Sequence, residues 1–154
     1  MAETNNGAKE VYEELCGMLD ARNWRYTRHD DDLVVTFGVS GDDIPMDYFI
    51  KVDGGRQLVS LYSRLPFIVP EEKRMEAAIA VCAATFGLVD GNFDYNINTG
   101  KITFRQTASF RSSKIGQGLF KYLIDWACAV VDRYNDRFMS LCSGAVSFTD
   151  FLDE

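Results

Sequence analysis

The stretch IPMDYFIKVDGGRQLVSLYS, residues 44–63, reads as two strands and the turn between them. Met46, Tyr48, Ile50 and Val52 share one side of the first strand and Asp47, Phe49 and Lys51 the other, because side chains alternate along an extended chain. Asp53-Gly54-Gly55 follows, a hairpin signal because glycine reaches the positive φ that a tight primed turn requires. Gln57 to Ser63 is the returning strand. Such a hairpin needs a cover for its apolar side, and the flanking segments supply one.

Upstream, Leu33, Val34, Val35, Phe37 and Val39 form a strand joined through the polar turn His29–Asp32 to a short strand over Trp24–Thr27. Before it, Val11, Leu15, Met18 and Leu19 recur at three and four residues, which predicts an amphipathic helix over Lys9–Ala21. Downstream, Pro66 and Pro70 interrupt strand pairing, and Pro70 suits the first turn of a helix, where its missing amide hydrogen would be unpaired anyway. Glu71 and Glu72 complement the positive end of that helix. Met75, Ala78, Ile79, Cys82 and Phe86 mark its expected buried stripe, up to Gly87. A second hairpin alternates Phe93, Tyr95 and Ile97 with Ile102 and Phe104 across Asn98-Thr99-Gly100. Ser112 to Lys114 offer a cap for a last long helix, whose Leu119, Leu123, Trp126, Ala127, Val130 and Tyr134 keep the helical period to about Phe138.

The order is α-β-β-β-β-α-β-β-α, an α+β chain in which helices flank an antiparallel sheet. One domain over residues 1–154 is expected, with a core over about 10–140 and a short extension, 141–154, that packs on the body or on a partner.

With 154 residues, 47% of them hydrophobic, the chain can bury a core without metals or crosslinks. Sixteen Lys and Arg against 23 Asp and Glu give a formal charge of -7, the wrong sign for neutralising phosphates, which argues against a nucleic-acid partner and for basic partner segments. The first ten residues, MAETNNGAKE, lack the basic and apolar regions of a signal peptide, and the most apolar run, Ala77–Val89, is too short to span a bilayer. No membrane association is expected. Cys16, Cys82, Cys128 and Cys142 are scattered and form no CxxC pair, which fits four thiols in a reducing cytoplasm.

Candidate chemistry is sparse. Asp90, Asn92 and Asp94 have the spacing of a calcium loop's opening, but Tyr95 stands where the sharp-turn glycine belongs and Lys101 where the bidentate carboxylate belongs. Arg111-Ser-Ser-Lys-Ile-Gly-Gln-Gly118 places Arg111 and Lys114 near glycines and a helix start, a weak anion contact without the order of a P-loop. His29 is the single histidine, so zinc clusters and a Ser-His-Asp arrangement with a spare base are excluded, and its neighbours Asp30–Asp32 describe a wet turn. The thiols read as small core hydrophobes, and no pair among 23 acids is singled out for acid–base work. No catalytic, cofactor or metal residue is therefore assigned, and no enzyme is expected.

Two Trp, seven Tyr and eleven Phe exceed the needs of a small core, and alternation leaves Val34 and Phe49 opposite Val35 and Ile50. A partner-binding face including Val34, Phe49 and Val59 is expected, in a protein that pairs with a second copy.

The opening helix with Trp24, the Asp53–Pro66 strand and loop, the helix from Glu71, and Asn92–Ile102 followed by a long helix containing Val130-Val131-Asp132-Arg133-Tyr134 are similar to the YbjN-like family over residues 10–140. That family is also described as bacterial sensory transduction regulators, and its fold resembles type III secretion chaperones. The resemblance implies an antiparallel sheet with packed helices, frequent dimers and no established enzyme activity. It assigns no ligand residue. The expected function is a non-enzymatic interaction module, a chaperone-like or regulatory adaptor for a protein or peptide. The rival is a small-molecule-binding or enzymatic domain with its site between sheet and helices.

Overall fold

The computed structural model describes the backbone of residues 2–153 and the side chains of residues 7–153. The elements are α1 (Ala2–Ala21), β1 (Thr27–His29), β2 (Val34–Val39), β3 (Met46–Asp53), β4 (Leu58–Ile68), a 3₁₀ turn (Glu71–Lys73), α2 (Arg74–Phe86), β5 (Asn92–Asn96), β6 (Lys101–Ser109), α3 (Gln117–Ser143) and α4 (Phe148–Asp153). The strands form one antiparallel sheet in the order β1-β2-β3-β4-β6-β5. This is the expected α+β architecture, with a fourth helix added.

The first hairpin is wider than the glycines suggested. Asp53 pairs with Leu58, so four residues form the loop, and Gln57, at φ 54°, takes the left-handed conformation in place of either glycine. The Arg56 amide donates to Asp53 Oδ1 at 3.0 Å and closes the turn. In this register Ile50 faces Leu61, Val52 faces Val59 and Phe49 faces Tyr62. The second hairpin uses its glycine as expected. Gly100 has φ 75°, any Cβ there would run into the Val69 carbonyl, and the Val69 amide donates to Gly100 O at 2.9 Å. β4 also runs past the expected end, with its pairing to β6 shifting between Arg64 and Ile68, where Pro66 has no donor to offer.

Helices α1 and α3 cover one face of this sheet. α1 buries Val11, Tyr12, Leu15 and Leu19, and α3 buries Phe120, Leu123, Ile124, Ala127 and Phe138, each series at three- and four-residue spacing. α3 begins after an extended Gly116 rather than at Ser112–Lys114, and Leu119 stands outside while Phe120 takes the core position. Arg22 grips Asp125 through two bonds of 2.7 and 2.9 Å, fixing the end of α1 to α3. Asp132 holds the β2–β3 loop by accepting from the Asp42 amide at 3.0 Å. Within the extension, the described residues 141–153 pack on the body: α3 carries Leu141 into the core, and α4 stacks Phe151 on Phe138 at 5.5 Å, with the Arg137 guanidinium 4.9 Å above the Phe151 ring.

The helix α2 reverses its expected orientation. Its buried residues are Ala77, Ala80, Val81 and Ala84, whereas Met75, Ile79, Cys82 and Phe86 point outward. Small side chains let the helix backbone approach β5, α3 and α4 closely, which leaves no room on that side for a phenylalanine. Tyr95 OH donates to the Arg74 carbonyl at 2.9 Å, and the Phe93 amide donates to Thr85 Oγ1 at 3.2 Å, so polar bonds from β5 fix the helix at both ends.

Candidate functional site

Among the described residues, no helix covers the other face of the sheet. Its central row crosses all six strands through Thr27, Thr36, Phe49, Tyr62, Arg105 and Asn92. Phe49 is 41% exposed, and its ring centroid lies 6.1 Å from that of Tyr62. A groove of about 950 Å³ follows this row and the next, walled by Arg25, Thr36, Asp47, Arg64, Asp94 and Thr103 around the two aromatic rings.

The charges in the groove are unevenly satisfied. Asp94 accepts from Arg105 Nε at 2.7 Å and Nη2 at 3.1 Å, and from Asn92 Nδ2 at 2.6 Å. The carboxylate bonds hold the Arg105 guanidinium more firmly protonated than usual. Among the described residues, no carboxylate lies within ion-pair distance of Arg25 or Arg64.

A second apolar surface lies on α2. Met75 is 70% and Phe86 93% exposed, with Ile79 and Cys82 between them at alternating spacings of four and three residues and exposed Val89 just beyond. That spacing keeps the four side chains on one outward-facing stripe of the helix.

The expected site residues do not come together. Phe49 occupies the open face. Val34 shares that face but is only 6% exposed, paired in the register with His29 and Lys51. Val59 is a correction: it lies opposite Val52 on the helix-covered face and is fully buried, so it leaves the proposed binding surface. Tyr62, Arg64 and Arg105 are the residues that sequence reasoning missed. The parity of the hairpin pointed to Tyr62.

The anion contact is also corrected. Lys114 turns its Nζ to 3.9 Å from Glu10 Oε2, in a groove that also holds Glu13 and Glu14, while Arg111 is exposed and absent from that groove's wall. Glu10, Glu13 and Glu14 outnumber Lys9 and Lys114 there, and the excess negative charge disfavours an anion.

The calcium-like residues are occupied by protein donors. The Asp90 carboxylate accepts from Gln106 Nε2 and Tyr122 OH, both at 3.0 Å, and its carbonyl accepts from Trp126 Nε1 at 2.9 Å. No cluster of three metal-ligating side chains occurs among the described residues. His29 Nε2 lies 3.4 Å from Thr36 Oγ1. All four cysteines are free, and burial pushes the thiols of Cys16, Cys128 and Cys142 up, away from the thiolate a nucleophile needs. Among the described residues, no helix is long and apolar enough to cross a membrane.

The fold is that of YbjN from E. coli, a proposed transcription regulator: the two structures superpose with a TM-score of 0.59 at 12% identity, over 82% of this chain and 92% of that one. A chain of the ExsC–ExsE complex is similar at a TM-score of 0.55 and 13% identity, over 88% of this chain and 95% of its own. A chain of the HopA1–SchA chaperone–effector complex gives 0.48 at 13% identity, over 77% and 91%. No protein-family model and no curated protein sequence matches the chain. The YbjN-like fold expected from the sequence, an antiparallel sheet flanked by helices, is thus the fold observed.

Proposed function

We propose that this chain is a non-enzymatic protein-interaction module, a chaperone-like or regulatory adaptor that pairs with a second copy and holds a segment of another polypeptide. The observation that carries the reading is the uncovered Phe49–Tyr62 pair in a groove on the helix-free face. The rival reading needs a cavity between sheet and helices. That layer is filled by Tyr12, Leu61, Phe104, Phe120 and Leu123, all buried. A contiguous core running from Ala8 to Phe151 supports a single domain, and four unpaired thiols support a cytoplasmic setting. The similarity to a chain of the two-protein ExsC–ExsE assembly is an argument by fold alone. Affinity capture from the native cell tests the groove: partners identified by mass spectrometry are expected to be lost with Phe49→Asp. Undiminished capture by the folded variant would refute the face.

The outward stripe of α2 supplies the surface for the second copy. In an antiparallel pair centred between Ala80 and Val81, Met75 meets Phe86 and Ile79 meets Cys82, so one seam complements itself about a two-fold axis. The two Cys82 positions then lie about 4.5 Å apart along the axis, at about 1.5 Å rise per residue, within disulfide reach. Light scattering is expected to give twice the 17.4 kDa chain mass, falling to one chain in Phe86→Glu. Mild oxidation is expected to crosslink the protein and to leave Cys82→Ser uncrosslinked. A monomer at high micromolar concentration, with no crosslink, would refute the pairing.

A further inference from the structure

The chain as a whole is acidic, at -7, yet the groove and its central row carry three arginines, Arg25, Arg64 and Arg105, against two carboxylates, Asp47 and Asp94. Among the described residues, Arg25 and Arg64 stand in the wall with no carboxylate within ion-pair distance, and Arg105 lies beside Tyr62 in the central row. Against them stand Asp47 and Asp94, of which Asp94 is already held by Arg105 and Asn92. With Arg105 and Asp94 held by each other, two arginines face the single carboxylate of Asp47, and a basic segment meets net repulsion. An acidic one would satisfy both while keeping the repulsion of the rest of the surface as a means of orientation.

The shape sets the conformation of the occupant. The wall draws on all six strands, from Thr27 on β1 to Asp94 on β5. Five inter-strand spacings of about 4.8 Å make a trough about 24 Å long, which an extended chain rising about 3.3 Å per residue fills with about seven residues. The aromatic pair at mid-length offers its rings to apolar side chains.

We infer that the open face binds an extended polypeptide segment of about seven residues whose sheet-facing side chains, every second one along the segment, include both carboxylates and large apolar groups. This rests on the reading of that face as the polypeptide-binding surface, and it reverses the expectation that the overall charge selects basic partners. The carboxylates pair with Arg25 and Arg64, and the apolar side chains pack on Phe49 and Tyr62.

The test is fluorescence anisotropy with labelled peptides of that length, one with glutamate, phenylalanine, leucine and glutamate at positions 1, 3, 5 and 7 and serine between them, the other carrying lysine in place of glutamate. The glutamate peptide is expected to bind, to weaken at least about tenfold in Arg25→Glu/Arg64→Glu, and to weaken further as salt rises. Phe49→Asp is expected to abolish binding. Both variants replace exposed side chains, and circular dichroism verifies that they fold. Preferential binding of the lysine peptide, still lost in Phe49→Asp, would overturn the charge assignment and leave the groove as the binding surface. Binding of neither peptide, or binding indifferent to Phe49→Asp, would overturn both. Oleate displacing the glutamate peptide, with no salt dependence of peptide binding, would assign the groove to a lipid and overturn the proposal.

Discussion

Helices α2 and α3 carry equally regular apolar patterns and use them in opposite ways. On α3 the large side chains face the sheet: Phe120, Leu123, Ile124 and Phe138 are buried. On α2 the alanines face the protein, while Met75, Ile79 and Phe86 face away. The difference is one of spacing between layers. α3 lies across the middle of the sheet, where side chains from β3, β4 and β6 leave a deep layer to fill. α2 lies against β5 and is wedged between it, α3 and α4, where only small residues fit. A periodic stripe therefore says that a helix has an apolar face, and the volume available beneath the helix decides which face turns inward.

The largest expected effect that probes this contrast is Phe138→Ala. The ring lies 5.2 Å from Phe93, 5.8 Å from Tyr134 and 5.5 Å from Phe151, so its loss leaves a cavity at the meeting point of α3, α4 and β5. A cost of about 3–5 kcal/mol is expected in urea unfolding. Phe86→Ala provides the opposite limit, within about 0.5 kcal/mol for the separated chain. Any larger loss should depend on protein concentration, because it would report the pairing of copies rather than the fold. Equal destabilisation by both substitutions at every concentration would show that α2 is not turned outward.

Ala80→Leu tests the same geometry from the inside. Ala80 is fully buried, and three added carbons have to displace β5 or α3. Overpacking of about 1–3 kcal/mol is expected as a lowered urea midpoint, with Ala83→Leu on the exposed side close to neutral. A neutral Ala80→Leu would mean that the layer under α2 is slack and that the small residues have another cause.

Much of the fold is legible in the sequence. The hairpin at Asp53–Leu58, the Gly100 turn and the stripes of α1 and α3 follow from local rules of period and turn conformation. What failed was information that neighbours supply. The orientation of α2 depended on the depth of the layer beneath it, and the start of β1 at Thr27 depended on which residues of β2 were free to pair. α4 came from a six-residue segment whose single buried anchor, Phe151, needs Phe138 in place before it has anything to pack on. Val59 is a different case. Any even-membered loop after Asp53 puts Val59 on the side of Ile50 and Val52, so the alternation already placed it in the core and placed Tyr62 beside Phe49. The aromatic floor of the groove was thus readable. Its arginines were not, because Arg25 lies ahead of β1, Arg64 on β4 and Arg105 on β6, segments that only the assembled sheet, with its crossover from β4 to β6, brings onto one face.

The smallest effect concerns the edge where α1 meets β1, the polar counterpart of the alanine packing under α2. Asp30 accepts from Arg28 Nε at 2.8 Å and from Tyr12 OH at 2.9 Å, while Arg28 also reaches Glu13 at 2.6 Å and lies 5.2 Å from the Tyr12 ring. The guanidinium first, and the phenol second, hold the Asp30 carboxyl below its ordinary value of 3.8. With the native pKa depressed, the unfolded chain binds the proton more readily. The contribution is therefore complete above the ordinary value and is lost as pH falls through the native one. Asp30→Asn should lower the melting temperature slightly at neutral pH and flatten that part of the acid limb, so that the two proteins converge once the wild-type carboxyl is protonated. Because the group is solvent-exposed, added salt should shrink the difference between them. Parallel acid limbs for wild type and Asp30→Asn would show that the junction is held by the Tyr12 ring and the Arg28–Glu13 pair, with no part played by the charge on Asp30.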